Sequence, residues 1–274
     1  MVSPRSPSHH RVHAEHLVLA GARCLAVSHR PTGPVRGALL LFPALAEELN
    51  KTRRATTLAA QAMAEQGLAV LQVDWQGSGD SEGDFAEADW AAWLAQAAAA
   101  RAWWADQHPG RPLLAWGVRA GCLMASALDA DAPWDGQLWW QPVAKGQTHW
   151  QQWLRLKQAA GLADGGSERT RLEDVAQRGD TLEIAGYTFA PGWVQGLVAS
   201  ELKPPQGPTL WLEATRQTPP ALLPASAAGL ARWNAPSLQA RALNDPAPWA
   251  VAELEDCPAL TQASLDWWNT QWPQ

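Results

Sequence analysis

Three six-residue apolar runs, each leading into a helical pattern, set the narrowest limit on what this chain can fold into. Gly37–Phe42 precedes a helical period over Glu47–Gln66 that Gly67 stops. Leu68–Val73 precedes a Gly-rich loop, Asp74–Gly83, and a helix over Asp89–Gln107. Arg111–Trp116 runs through a sharp turn, Gly117–Gly121, into a helix over Ala120–Leu128. Unbroken apolar runs of strand length belong to strands covered on both faces, and parallel neighbours need a helix to cross between them. The alternation therefore predicts a doubly wound, mostly parallel sheet with helices on both faces. Ahead of it, Glu15–Ala20 and Arg23–His29 meet at Gly21 and predict an opening antiparallel pair, and Pro31-Thr-Gly-Pro34 is a turn. After it, Gly136–Gln141 adds a strand, and a Trp-rich helix over Gln147–Ala160 with a charged stretch over Asp164–Asp180 forms an excursion. That excursion, about 143–180, is expected to be a small lid or cap. Thr181–Ile184, Gly192–Leu202, Thr209–Glu213, Leu238–Leu243 and Pro258–Trp268 resume strand and helix character and complete the sheet.

Composition excludes several classes of function. A length of 274 residues suits one domain, expected over 15–274, with the Ser/Pro/His-rich residues 1–14 as a disordered tail. Lys and Arg number 21 against 27 Asp and Glu, for a net charge of −6, and no basic stripe is present to track phosphates, so nucleic acid is not an expected partner. Cys24, Cys122 and Cys257 are odd in number and widely spaced, which fits neither a disulfide framework nor a zinc site and suits a reducing compartment. The first residues have no apolar signal segment, and the longest apolar stretch, Ala38–Ala46, is broken by Pro43 and too short to span a bilayer. A cytoplasmic protein without membrane insertion, metal or cofactor is expected. Eighteen tryptophans against three Phe and one Tyr either fill core and helix seams or form an aromatic pocket or contact surface.

Gly117-Val-Arg-Ala-Gly121, between a strand and a helix, resembles the Gly-x-Ser-x-Gly turn of the α/β-hydrolase fold, with Arg119 where the nucleophilic serine would stand. In that fold the triad follows the order Ser, Asp/Glu, His, yet no histidine follows His149. A narrower resemblance is carried by Phe42–Arg54 (FPALAEELNKTRR), Asp74–Phe85 (DWQGSGDSEGDF), Trp116–Gly121, Trp140–Gly146 (WQPVAKG) with Leu154-Arg-Leu156, and Glu183–Tyr187 (EIAGY). These segments, from about residue 38 to 190, resemble the exosortase A system-associated hydrolase 2 family, which accompanies the PEP-CTERM sorting and exopolysaccharide machinery. The resemblance implies an α/β-hydrolase fold in which an arginine at the turn is usual; Trp75 and the tryptophan enrichment depart from it.

The elbow residue projects from the carboxyl end of the sheet, where open α/β sheets bind ligands. Arg119, the N–H of Ala120, and an N–H of Ala44 or Leu45 would together receive an anion at the start of a helix. The alternative is that Arg119 pairs internally with Glu47, Glu48 or Asp74 and only holds the loops. Glu47, Glu48 and Asn50 open the helix after the first of those loops, and neighbours 100° apart on a helix allow one of the two carboxylates to face the pocket. Gln141, Lys145 and Arg155 would add ligand contacts. Glu48, Asp74 and His149 are weak catalytic candidates; Ser78 and Ser81 lack a histidine base and would need a carboxylate, and Cys122, inside the helix, reads as a buried small hydrophobe. Gly77–Ser81 has no following Lys-Ser/Thr and is no P-loop. Three functions stay open: a binding module for an anionic small molecule or an exopolysaccharide or sorting-system protein, an atypical hydrolase or acyl or glycosyl transferase using carboxylates, and an interaction protein with a Trp-rich surface.

Overall fold

The computed structural model describes residues 10–163, 180–233, 235–250 and 255–273. An antiparallel hairpin opens it, β1 (His10–Leu19) and β2 (Ala22–Pro31), turning at Ala20 and Gly21 with φ of 48° and 89°. β3 (Gly37–Phe42), α1 (Glu47–Glu65), β4 (Leu68–Val73), α2 (Trp90–Gln107), β5 (Leu113–Val118), α3 (Gly121–Asp131) and β6 (Gly136–Trp140) follow in the expected alternation. α4 (Gly146–Ala163), a small hairpin of β7 (Leu182–Ile184) and β8 (Tyr187–Phe189), and α5 (Pro191–Ala199) intervene before β9 (Thr209–Thr215), α6 (Pro224–Trp233), β10 (Leu238–Asn244) and α7 (Pro258–Gln271). The eight-stranded sheet runs β1-β2-β4-β3-β5-β6-β9-β10, parallel from β4 onward. Of the charged stretch after α4, residues 164–179 lie outside the described residues.

Alternate side chains of each inner strand feed two cores. Leu39 and Leu41 of β3 pack with Ala55, Ala59 and Met63 of α1 and Leu260, Trp267 and Trp268 of α7. Ala38, Leu40 and Phe42 face α2, α3 and the β6–β9 excursion. This period of two, with apolar residues on both faces, is why those strands carry no polar alternation. Trp116 and Trp140 sit on adjacent strands with ring centroids 4.8 Å apart, and Trp140 Nε1 donates to Ser264 Oγ at 3.0 Å, fixing α7 to the sheet.

One expectation is corrected and one alternative decided. Residues 10–14 are not tail: His10 to Ala14 pair in register with Pro31 to Val27. A one-sided edge strand needs no apolar periodicity, so its polar sequence hid it. Of the two roles open to the tryptophans, the structure shows the filling of core and helix seams and not a contact surface. All except the half-buried Trp103, Trp233 and Trp272 are buried. Among the described residues no helix is long and apolar enough to cross a membrane.

The excursion between β6 and β9 is bound to the body by aromatic rings. Phe85, in a short 3-10 turn after the Gly-rich loop, meets Tyr187, Phe189 and Trp193 at 5.1, 5.2 and 5.6 Å. Trp193 in turn meets Trp90 and Trp93 of α2. Gly196 on α5 permits this contact, because a Cβ there would stand 2.3 Å from that of Trp90.

Candidate active site

At the end of β5 the backbone turns through Arg119, whose φ is 54°, and enters α3 at Gly121. A non-glycine residue in the left-handed region is held there by its surroundings at a conformational cost. The flanking glycines make the turn possible. A Cβ on Gly121 would stand 2.2 Å from the carbonyl oxygen of Phe42 and 2.4 Å from that of Pro43; one on Gly117 would stand 2.6 Å from Cys122 Cα. The obstruction is backbone, which cannot move aside. Gly121→Ala should therefore cost about 3 kcal/mol, the upper end for overpacking, read as a lower urea midpoint. A loss below 1 kcal/mol would mean that α3 does not press on β3 as described.

From this turn Arg119 reaches Glu48 in the first turn of α1. Its Nε donates to Glu48 Oε2 and its Nη2 to Glu48 Oε1, both at 3.1 Å, and Nη1 approaches the Gln141 carbonyl at 3.4 Å. The guanidinium also lies 5.7 Å from the centre of the Trp249 ring. Glu47 points the other way, to Lys51 at 2.9 Å. Of the pairings considered for Arg119, then, Glu48 holds it, through a two-bond geometry that suits a guanidinium and a carboxylate. The N–H groups of Ala44, Leu45 and Ala120 are not engaged in a hydrogen bond within the described residues.

His149, from the first turn of α4, completes the cluster. Its Nε2 lies 3.7 Å from Glu48 Oε2 and its ring 4.3 Å from that of Trp153. It is 1 % exposed, and neither ring nitrogen has a hydrogen-bond partner. Burial pushes its pKa down to about 4, with the nearby Glu48 pulling up and Arg119 pushing down. His29, buried beside His10, is likewise brought to about 4. Both rings are neutral in the fold and take a proton readily once unfolded. Their contribution is full above the ordinary value of 6.5 and is lost as pH falls toward 4. Each should remove about 1.4 kcal/mol per pH unit in that window. Urea midpoints measured from pH 7.5 to 4 should fall accordingly. His149→Gln should flatten the slope by about half; a slope unchanged by that substitution would show that His149 is not neutral in the fold.

Other residues expected at the site lie elsewhere. Asn50 donates to the Tyr187 hydroxyl at 2.8 Å, tying α1 to the β7–β8 hairpin. Arg155 is exposed on the outer face of α4. Asp74, 3 % exposed, accepts from Arg53 at 3.3 Å and from the Asp80 N–H, and so organises the Gly-rich loop. Cys122 is fully buried and burial raises its thiol pKa well above the usual range, which keeps it protonated. Gln141 does line the site. Its backbone turns at φ 45° and its Oε1 accepts from the Ala214 N–H at 2.9 Å.

A pocket of about 350 Å³ opens over this cluster, within the size range of small-molecule sites. Arg119, Gln141 and His149 line one part, and Trp211, Leu223, Leu230 and Trp233 another; Lys145 and Arg232 add positive charge. Of these six, Lys145 alone was expected to contact a ligand. Behind Trp211 sits Glu213, 2 % exposed, which accepts from Trp211 Nε1 at 3.0 Å and from the Leu223 N–H at 2.7 Å. A lone carboxylate closing the apolar run Leu210-Trp-Leu212 was the sequence signal for it.

Known structures share this architecture. A serine hydrolase without lid from Xanthomonas campestris superposes with a TM-score of 0.61 at 14 % identity over 99 % of either chain. The chain has the α/β-hydrolase fold. Est1E from Butyrivibrio proteoclasticus, solved with ferulic acid bound, gives a TM-score of 0.62 at 14 % identity over 94 % of this chain and 99 % of that one. A serine hydrolase homologue from Coxiella burnetii gives 0.58 at 11 % identity over 93 % and 96 %. No protein-family profile and no curated protein matches the sequence. Identities this low speak for the α/β-hydrolase fold and not for the chemistry on it. Arg119 stands in the turn between β5 and α3.

Proposed function

We propose that this chain is a non-catalytic α/β-hydrolase-fold protein that binds an anionic small molecule with an apolar body in the pocket over Arg119. The observation that carries this reading is the guanidinium at the nucleophile turn, held in place by Glu48 and facing a pocket of about 350 Å³. Arg119, with Lys145 and Arg232 on the pocket wall, supplies donors for an anion, and the amino end of α3 adds its dipole. Ala44, Leu45 and Ala120, expected to add N–H donors, are buried and do not line the pocket. Trp211, Leu223, Leu230 and Trp233 supply the apolar wall. A triad is lacking, since an arginine replaces the serine and no histidine follows His149. The start of α4, which brings Thr148, His149 and Gln152 to the pocket wall, acts as its lid. The motif set from Phe42 to Tyr187 supports placing the chain with the exosortase A system-associated hydrolases, in the cytoplasm, where its ligand is an anionic small molecule or its partner a protein of the exopolysaccharide and sorting system.

One observation favours a second reading, an atypical hydrolase. Glu48 lies 3.7 Å from a histidine, as a base or its orienting partner would. Against it, both oxygens of Glu48 are engaged by Arg119.

A thermal-shift screen against benzoate, hexanoate, acyl-CoAs and sugar nucleotides, repeated with Arg119→Gln, tests the proposal. A ligand at a hundredfold excess over Kd should stabilise the native protein by about 3 kcal/mol and the variant hardly at all. Equal shifts in both proteins would remove Arg119 from the site, and stoichiometric labelling of a serine by a fluorophosphonate would replace the binding reading with catalysis.

A further inference from the structure

Beneath the pocket, one carboxylate serves two bases. Glu48 fills the fork of Arg119 with both oxygens at 3.1 Å, and the same Oε2 lies 3.7 Å from His149 Nε2. Arg119 and Glu48 are 15 % and 12 % exposed at their side chains, and His149 is closed off altogether. An imidazole buried with both nitrogens unused carries a desolvation cost that a new hydrogen bond would relieve. As it stands the cluster is neutral: one cation, one anion and an uncharged ring.

An anion entering the pocket finds the fork of Arg119 already taken by a carboxylate. Two carboxylates at one site repel, so only one can hold the fork with its full charge. The displaced group would be left half-dry and unpaired unless it found another cation. His149 is the neighbour that can become one. Glu48 of α1 and Arg119 of the elbow are the charged groups acting on its ring; of the others lining the pocket, Lys145, just ahead of α4, is exposed and committed to Glu201 at 3.2 Å, and Arg232 of α6 is exposed.

We propose that an anionic ligand takes the guanidinium of Arg119 from Glu48, that Glu48 turns to His149, and that one proton is taken up from solvent onto the His149 ring as the ligand binds. This rests on reading the elbow as an anion pocket. The charges balance. Arg119 and Glu48 keep theirs, the ligand brings one negative charge and the proton one positive, so the cluster is neutral before and after. Binding without the proton would leave a net negative charge in a nearly dry site. Proton uptake makes affinity fall as pH rises. Above about 4, where the free ring is neutral, Kd should weaken about tenfold per pH unit until the pKa of the bound state is passed, then level off.

The test uses benzoate as probe, in calorimetry of the native protein in two buffers of unlike ionisation enthalpy. Buffer-dependent heats that report proton uptake, with a Kd that weakens toward high pH, are expected. In parallel, the His149 ring is titrated by NMR in the native protein and in Arg119→Gln, with its signal assigned through His149→Gln. Removing the competing cation leaves Glu48 to the ring, so its pKa should rise clearly above that of the native protein. Benzoate that binds at Arg119 with no proton uptake, or a ring whose pKa does not rise in Arg119→Gln, overturns the coupling and leaves the anion pocket standing. Absence of benzoate binding at all overturns both. If Arg119→Gln does not fold, the native calorimetry decides alone.

Discussion

Glu48→Ala should destabilise the protein by about 3 kcal/mol, and formate should restore much of the loss. Removing one partner of a buried ion pair leaves the other charge without compensation, at a cost of about 3–5 kcal/mol. The lower end applies because Arg119 and Glu48 remain 15 % and 12 % exposed at their side chains. The substitution also clears the fork that Glu48 fills with two 3.1 Å bonds. A carboxylate small enough to enter that space re-forms the same pair from solution, and it stabilises the native state by mass action. Glu47→Ala is the control. That residue faces outward to Lys51, 43 % exposed, in a surface pair whose removal costs well under about 1 kcal/mol. Urea midpoints of the two variants, with and without formate, are the measurement. Equal small losses, or a Glu48→Ala variant indifferent to formate, would show that Arg119 does not depend on that carboxylate.

The sheet was legible because its inner strands are apolar on both faces: nothing except burial on both sides explains Leu39-Leu40-Leu41 or Leu68–Val73. The turn was legible through its two glycines, whose positions the carbonyls of Phe42 and Pro43 and the start of α3 leave no room to change. The site was only half legible. Helical geometry requires Glu47 and Glu48 to diverge, but which one turns inward is set by the entry of the chain into α1 through Ala46 at φ 52°. No local pattern encodes that angle. Asn50 and Arg155 share elements with site residues yet face elsewhere, because the β7–β8 hairpin and the outer surface of α4 claim them. His149 was visible as a weak catalytic candidate without a partner. Its approach to Glu48 depends on α4 folding back over the elbow, a contact between residues far apart in the chain. Glu213 escaped notice because its partners, Trp211 Nε1 and the Leu223 N–H, become neighbours only after β9 turns toward α6.

Trp193→Ala should produce the largest loss of stability, about 4 kcal/mol, and should also change the titration of a residue it does not touch. Trp193 is fully buried and sits between the two halves of the aromatic cluster. Phe189 and Trp153 of the excursion lie at 5.3 and 6.3 Å, and Trp90 and Trp93 of α2 at 5.6 and 5.4 Å. Truncation of a tryptophan so enclosed removes its transfer free energy and leaves a cavity, together about 3–5 kcal/mol. Trp193→Phe, which keeps a ring in place, should cost roughly half as much. The second effect follows from Trp153, which packs on Trp193 on one side and on His149 at 4.3 Å on the other. If α4 is held down through this stack, loosening it admits water to the His149 ring, and a ring with water around it titrates nearer its ordinary 6.5 than 4. The native fold would then no longer exclude that proton, so the decline in stability between pH 6.5 and 4 should be shallower in Trp193→Ala than in the native protein. Urea midpoints at pH 7.5 and 5 in both proteins give the comparison. A variant that loses its 4 kcal/mol yet keeps the full acid slope would mean that His149 is sealed by Trp153 and the sheet alone, and that α4 needs no support from α5 to cover the elbow.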